Sequence, residues 1–284
     1  MGVIGLMEVQ FSLSLLSFLI GVGLLAGFCG GLLGIGGSVI IIPALILWFR
    51  GDGQHLFQAT AMMVNFFVVA PAVIRHFAAR AYDAAMLRGM IPSAIVGILV
   101  GVWLSEFDIF RGPGQGRLQL IFATFLLYIF FQNLTWLVRG KPERPPVTGE
   151  KSNRGLTGAL FVGAPAGVLS GLLGIGGGLF MVPAQQSLLK LPLKMSIANS
   201  ASTILFSSVV GAIYKTQGLS AHGTSWSSAI LMASMLAPTA MIGAWFGAAK
   251  SHVWPVRTVR IAFALLLAYS SYRLYTIGWN QLHS

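Results

Sequence analysis

Apolar residues run through this chain in long blocks separated by short polar clusters. The blocks fall at 11–34, 38–50, 56–79, 85–105 and 117–138, then at 156–175, 178–190, 195–215, 227–249 and 256–277. A membrane-crossing helix takes about 20 mostly apolar residues, and most of these blocks approach that length. The blocks at 38–50 and 178–190 are shorter, and each contains a proline, Pro43 and Pro183. Between the fifth and sixth blocks lies RGKPERPPVTGEKSNRG, residues 139–155, which is Pro-rich, charged and without apolar periodicity. Such a stretch reads as an exposed linker. The organisation expected is a first membrane repeat over 1–138, a linker over 139–155 and a second membrane repeat over 156–284.

The two parts are versions of each other. Residues 30–44 read GGLLGIGGSVIIIPA and residues 170–184 read SGLLGIGGGLFMVPA, with nine of fifteen positions identical at a spacing of 140. The likeness extends along the chain. Ala59-Thr60-Ala61 corresponds to Ala198-Asn199-Ser200, and Pro92-Ser93-Ala94 with Gly97 and Gly101 corresponds to Pro238-Thr239-Ala240 with Gly243 and Gly247. The first apolar run lacks the basic leader of a signal peptide and recurs in mid-chain, so it is expected to belong to the mature structure.

Two courses are open at each glycine motif. It kinks one spanning helix, giving parallel halves, or it forms the tip of a hairpin, giving halves of inverted topology. Basic residues gather on the cytoplasmic side of membrane proteins. The hairpin course leaves only Arg50, Arg111, Arg117, Lys215 and Arg273 of the 18 Lys and Arg outside; the kink course divides them far more evenly. The expected fold is therefore an all-α polytopic membrane protein with two homologous, inverted-topology halves. Each half has a glycine-tipped re-entrant helix hairpin and three spanning helices. The linker is expected in the cytoplasm and both termini outside.

Composition narrows the function. The chain is 56% hydrophobic and 9% charged, against about 25% charged in soluble domains. Its net charge of +11 reads as topology signalling rather than nucleic-acid binding. One cysteine, Cys29, allows no internal disulfide and reads as packing. No metal, cofactor or enzyme motif stands out, and the five histidines look scattered. No Asp or Glu lies in mid-span, which disfavours a cation route, since cation pumps normally need intramembrane carboxylates. Arg75, His76 and Lys215 end the third block of each half; they read more readily as snorkelling side chains than as a cationic vestibule.

The chemistry points to the tips. Glycine permits left-handed backbone and close approach to a ligand, and each short helix starts at its tip with unpaired N–H groups and a positive dipole end. That pairing suits an oxyanion. The candidate binding residues are Gly36, Gly37, Ser38, Thr60 and Asn65 of the first half, with Gly176, Gly177, Gly178, Asn199 and Ser200 of the second. For the polar ones, a ligand shell and interhelical hydrogen bonding are equally good readings; Gln185 and Gln186 stand beside them. The upstream patterns Gly27-xxx-Gly31 and Gly167-xxx-Gly171 read instead as close helix packing.

The twin GLLGIGG-xxxxx-PA motifs at 31–44 and 171–184, with the segments after them, resemble the sulfite exporter TauE/SafE family over nearly the whole chain. The resemblance implies a multi-pass permease of the plasma (inner) membrane for a small sulfur-containing anion such as sulfite, a sulfonate or sulfoacetate. The chain departs from the doubled pattern at Ser38, where the second half has Gly178, and at Met62-Met63. The expected function is a secondary transporter working by alternating access. The alternatives are an anion channel or uniporter, and a membrane scaffold or assembly factor that transports nothing.

Overall fold

A computed structural model describes residues 13–49, 53–79, 81–111, 114–139, 156, 158–250 and 256–283. Most of the linker, residues 140–155, lies outside the described residues. The first half forms α1 (Leu13–Leu33), α2 (Ser38–Trp48), α3 (Gln54–Ala78), α4 (Ala84–Ser105) and α5 (Gln115–Arg139). The second forms α6 (Ala164–Leu173), α7 (Gly178–Leu188), α8 (Leu193–Gln217), α9 (Trp226–Lys250) and α10 (Val256–His283). Six of the described helices are long and apolar enough to cross a membrane. Exposed Ile20, Leu25, Val96, Trp103, Trp245 and Phe246 face outward, which suits a lipid environment.

Contacts along each pair of helices give their directions. Phe18 on α1 stacks on Trp48 at the far end of α2, with ring centroids 4.3 Å apart, while Gly30 approaches Gly36 at the tip. The chain therefore turns back on itself at the tip, and α1–α2 is a hairpin rather than a kinked span. Helix α2 is antiparallel to α3 in turn: Gly37 and Ser38 meet Asn65, and Phe49 stacks on Phe57 at 5.4 Å.

The halves interlock rather than sit side by side. Gly27 and Gly31 of α1 abut Ala240 and Ala244 of α9, and Gly243 and Gly247 of α9 abut Leu24 and Phe28 of α1. The same arrangement recurs with the halves exchanged: Gly97 and Gly101 of α4 meet Ala164 and Val168 of α6, and Gly167 and Gly171 of α6 meet Ala94 and Ile98 of α4. A side chain at these glycines would run into a facing backbone carbonyl, so the small residues are what let the helices touch.

Corresponding helices run in opposite directions. Along α3 and α8, Met62 packs with Ala212, while Val69 and Val73 pack with Ile204 and Ala201. Along α5 and α10, Gly116 meets Gly278, the Ser271 hydroxyl donates to the Ala123 carbonyl at 2.8 Å, and the Asn133 amide donates to the Arg260 carbonyl at 2.8 Å. This is the geometry of inverted halves.

One element departs from the duplication. Helix α6 is preceded by a π turn over Ala159–Gly163, and Pro165 stands at its first turn. Proline lacks an N–H and its ring crowds the carbonyl four residues earlier, so the helix widens ahead of it. The equivalent position in α1 is Leu25, and α1 runs unbroken.

Candidate functional site

At each hairpin tip the backbone enters the left-handed region, with φ of +68° and +80° at Gly34 and Gly36, and +77°, +71° and +75° at Gly174, Gly176 and Gly177. Residues with a Cβ rarely adopt this conformation. The tips are wholly buried and meet: a Cβ on Gly178 would lie 2.8 Å from both Cα and O of Ile35. Gly34 packs on Ile197 of the second half and Gly174 on Gln58 of the first, an exchange between glycines 140 apart and partners 139 apart. Because the halves run in opposite directions, the N-termini of α2 and α7 converge from opposite sides. Each helix start carries a charge equivalent of about +0.5, so two positive ends face one another in the core.

Asn65 stands between them. Its Oδ1 accepts hydrogen bonds from the Gly37 amide at 2.8 Å and the Ser38 amide at 3.1 Å, and its Nδ2 donates to Ser38 Oγ at 3.1 Å. It also touches the other tip, since a Cβ on Gly176 would lie 2.6 Å from Nδ2. The equivalent residue of the second half is Ile204, which faces Gly176 and Gly178 with a hydrocarbon side chain. Among the described residues, the Gly178 and Leu179 amides find no acceptor. One helix start is thus capped from within the protein, and its twin is open.

The remaining sequence candidates divide. Ser200 Oγ reaches the Gly34 carbonyl at 3.4 Å, which brings it to the first tip. Thr60 is buried with its hydroxyl unpaired. Asn199, its counterpart, is not gathered to the tips. Its Oδ1 accepts from the Asp83 amide at 3.0 Å and its Nδ2 donates to Gln185 Oε1 at 3.2 Å, tying α8 to α7 and to the start of α4. Gln185 belongs to that same tie. An apolar groove of about 590 Å³, lined by Met62, Phe66, Phe67, Val209, Ile213 and Trp226, is open at the surface between α3, α8 and α9. Its walls suit a hydrocarbon chain rather than an anion.

Two sequence readings change. Lys215 does not snorkel; its side chain is fully buried. The histidines are not all scattered either, because His55 and His222 stack with ring centroids 3.6 Å apart. An ionisable residue within an apolar span is a functional candidate by default, and that signal was present at Lys215.

Inverted halves, paired glycine tips and helix starts converging in the core are a plan of secondary transporters. The sequence pattern described as sulfite exporter TauE/SafE matches residues 19–274. The chain belongs to the sulfite exporter TauE/SafE family. Among curated relatives, it is 26% identical to the "Probable membrane transporter protein MamO" of Magnetospirillum gryphiswaldense, covering 91% of this chain and 45% of that protein. It is 25% identical to the "Probable membrane transporter protein YunE" of Bacillus subtilis, covering 88% and 93% respectively. A probable membrane transporter protein of Methanocaldococcus jannaschii is 29% identical over 73% of this chain and 74% of its own length. The chain thus spans less than half of MamO, but nearly all of YunE. No solved structure matches it. This TauE/SafE protein is a multi-pass membrane protein.

Proposed function

We propose that this protein carries a small sulfur-containing oxyanion, of the sulfite, sulfonate or sulfoacetate type, across the plasma (inner) membrane by alternating access. The observation that carries the reading is the convergence of two helix N-termini at glycine tips, with Asn65 between them. An anion there meets backbone donors and two positive dipole ends, and the left-handed glycines leave its oxygens close to the backbone. Gly36, Gly37, Ser38 and Asn65 form one side of the site, and Gly176, Gly177 and Gly178 the other, with Ser200 beside the first tip. Thr60 and Asn199 remain candidates, lining the approach on α3 and α8. The sulfur class is supported by the family's description as a sulfite exporter. Tips in direct contact leave the site closed, and relative movement of the halves opens it. The distribution of basic residues supports a cytoplasmic linker and termini on the outer side.

The reading is tested by thermal unfolding of the purified protein with sulfite, sulfoacetate, taurine, sulfate, thiosulfate, acetate and chloride. A ligand bound only by the folded state stabilises it by about 2.7 kcal/mol at one hundred times its dissociation constant. A selective shift with one sulfur oxyanion, absent in Asn65→Leu, is expected. Equal behaviour with all seven would contradict it.

A further inference from the structure

A second polar cluster lies at the end of the bundle away from the linker, where the start of α3 meets the ends of α4 and α8. The buried Lys215 ammonium donates to Ser105 Oγ at 2.6 Å and stands 3.8 Å from Glu106 Oε1. His222 Nε2 is 2.6 Å from Glu106 Oε2. The His222 ring stacks on His55 at 12° from parallel. His55 Nε2 contacts the Phe110 carbonyl at 3.4 Å, and its Nδ1 is buried without a partner. Arg111 is the remaining charge acting on the cluster from the α4–α5 connection, and it is bonded to Asp108 at 3.1 Å.

Every ionic contact of Glu106 here crosses between the halves: His55, Ser105 and Glu106 belong to the first, and Lys215 and His222 to the second. The three potential ligand atoms of His55, Glu106 and His222 lie within 4.8 Å of one another, which raises a metal ion as the occupant. The rings argue against it. Imidazole lone pairs lie in the ring plane, and two nearly parallel planes 3.6 Å apart do not converge on one ion. The Lys215 ammonium beside the carboxylate repels a cation as well. A proton requires neither convergence nor an anionic cage.

We propose that this cluster is a proton-binding gate: the end of the bundle opens when Glu106 takes up a proton. The proposal rests on the transport reading above. In the closed state the carboxylate is held by His222 and Lys215. When the halves part, Glu106 loses both partners at once. Freed of the hydrogen bond and the charges that favour its anion, the carboxyl returns to its ordinary value, so in acid one proton from the adjoining water forms an O–H bond on Glu106, and nothing else is consumed. Lys215 keeps its charge and is left free to face an incoming anion. Burial alone raises the Glu106 carboxyl in the closed state, but the His222 hydrogen bond and the nearby Lys215, His222 and Arg111 charges outweigh it and hold it below the ordinary carboxylate value. The closed state is therefore favoured at neutral pH and loses that advantage as the pH falls below about 4.3, the ordinary glutamate value, toward the lowered closed-state value. One linked proton shifts the open-to-closed ratio by up to about tenfold per pH unit.

The test needs no substrate, so it fails or succeeds apart from the transport reading. Ala59 is fully buried on α3, one turn inward from His55. In a Cys29→Ala background, Ala59→Cys is labelled in detergent with a water-soluble thiol reagent that reacts in acid, at pH 7.5 and pH 3.5. Rates are normalised to exposed Lys190→Cys at the opposite end of the bundle, which cancels the reagent's own pH dependence. The normalised rate is expected to rise at least severalfold in acid. Adding Glu106→Gln is expected to give the fast rate at both values. Equal normalised rates at the two pH values in the otherwise unchanged protein would overturn the proposal, whether or not the glutamine variant folds. An undiminished acid response in Glu106→Gln would overturn it too.

Discussion

At the scale of residues, Asn65 joins the tips in a way that no other polar side chain among the described residues does. It satisfies two amides at the start of α2 and the Ser38 hydroxyl, while touching Gly176 of the facing tip. Asn65→Leu copies the hydrocarbon that Ile204 supplies in the second half and leaves buried donors unpaired. Such groups cost about 1–3 kcal/mol. We expect a matching loss in denaturation midpoint, and anion affinity at least tenfold weaker in a thermal-shift titration. Retained affinity would remove Asn65 from the site. The sequence made Asn65 and Ser38 legible as polar residues in apolar spans, but their direction was not legible. Thr60 and Asn199 occupy equivalent positions, yet the longer Asn199 amide reaches the Asp83 amide with Oδ1 and Gln185 with Nδ2, whereas the short Thr60 hydroxyl finds no partner. His55, Glu106, Lys215 and His222 stand at the ends of different elements. No spacing rule reveals that those ends converge.

At the scale of elements, glycine pairs set the crossings of α1 with α9 and of α4 with α6. A Cβ at Gly101 would collide with the Val168 carbonyl, whereas nothing lies within 4 Å of one at Gly21. Gly101→Leu therefore forces the helices apart; overpacking of this kind costs about 1–3 kcal/mol, and more where backbone must move. Gly21→Ala is expected to leave stability unchanged or raise it by up to about 1 kcal/mol, the difference in helix propensity. Unfolding of both variants in the same detergent checks the contrast, and equal losses would contradict it. The hairpins were legible because basic residues divide unevenly under one course and evenly under the other. The π turn before α6 was not, although its cause, Pro165 opposite Leu25, stood in the alignment of the halves.

At the scale of the molecule, two inverted halves interlock around a closed site. The orientation proposed above rests on charge; exposed Lys190 lies at the linker end of the bundle and exposed Arg111 at the opposite end. Lys190→Cys and Arg111→Cys, each in a Cys29→Ala background, are expected to react with an impermeant thiol reagent from the cytoplasmic and outer sides respectively. Reaction of both from one side would refute the inverted arrangement. The transport claim itself is tested most directly by counterflow in proteoliposomes. Vesicles loaded with unlabelled sulfite are diluted into a trace of labelled sulfite, and accumulation of label is followed with time. Transient accumulation above equilibrium, saturable and abolished in Asn65→Leu, is the result expected of an alternating-access carrier. Label that only equilibrates at a rate linear in concentration would indicate a channel, and no entry of sulfite, sulfoacetate or any other sulfur oxyanion would contradict the proposed function.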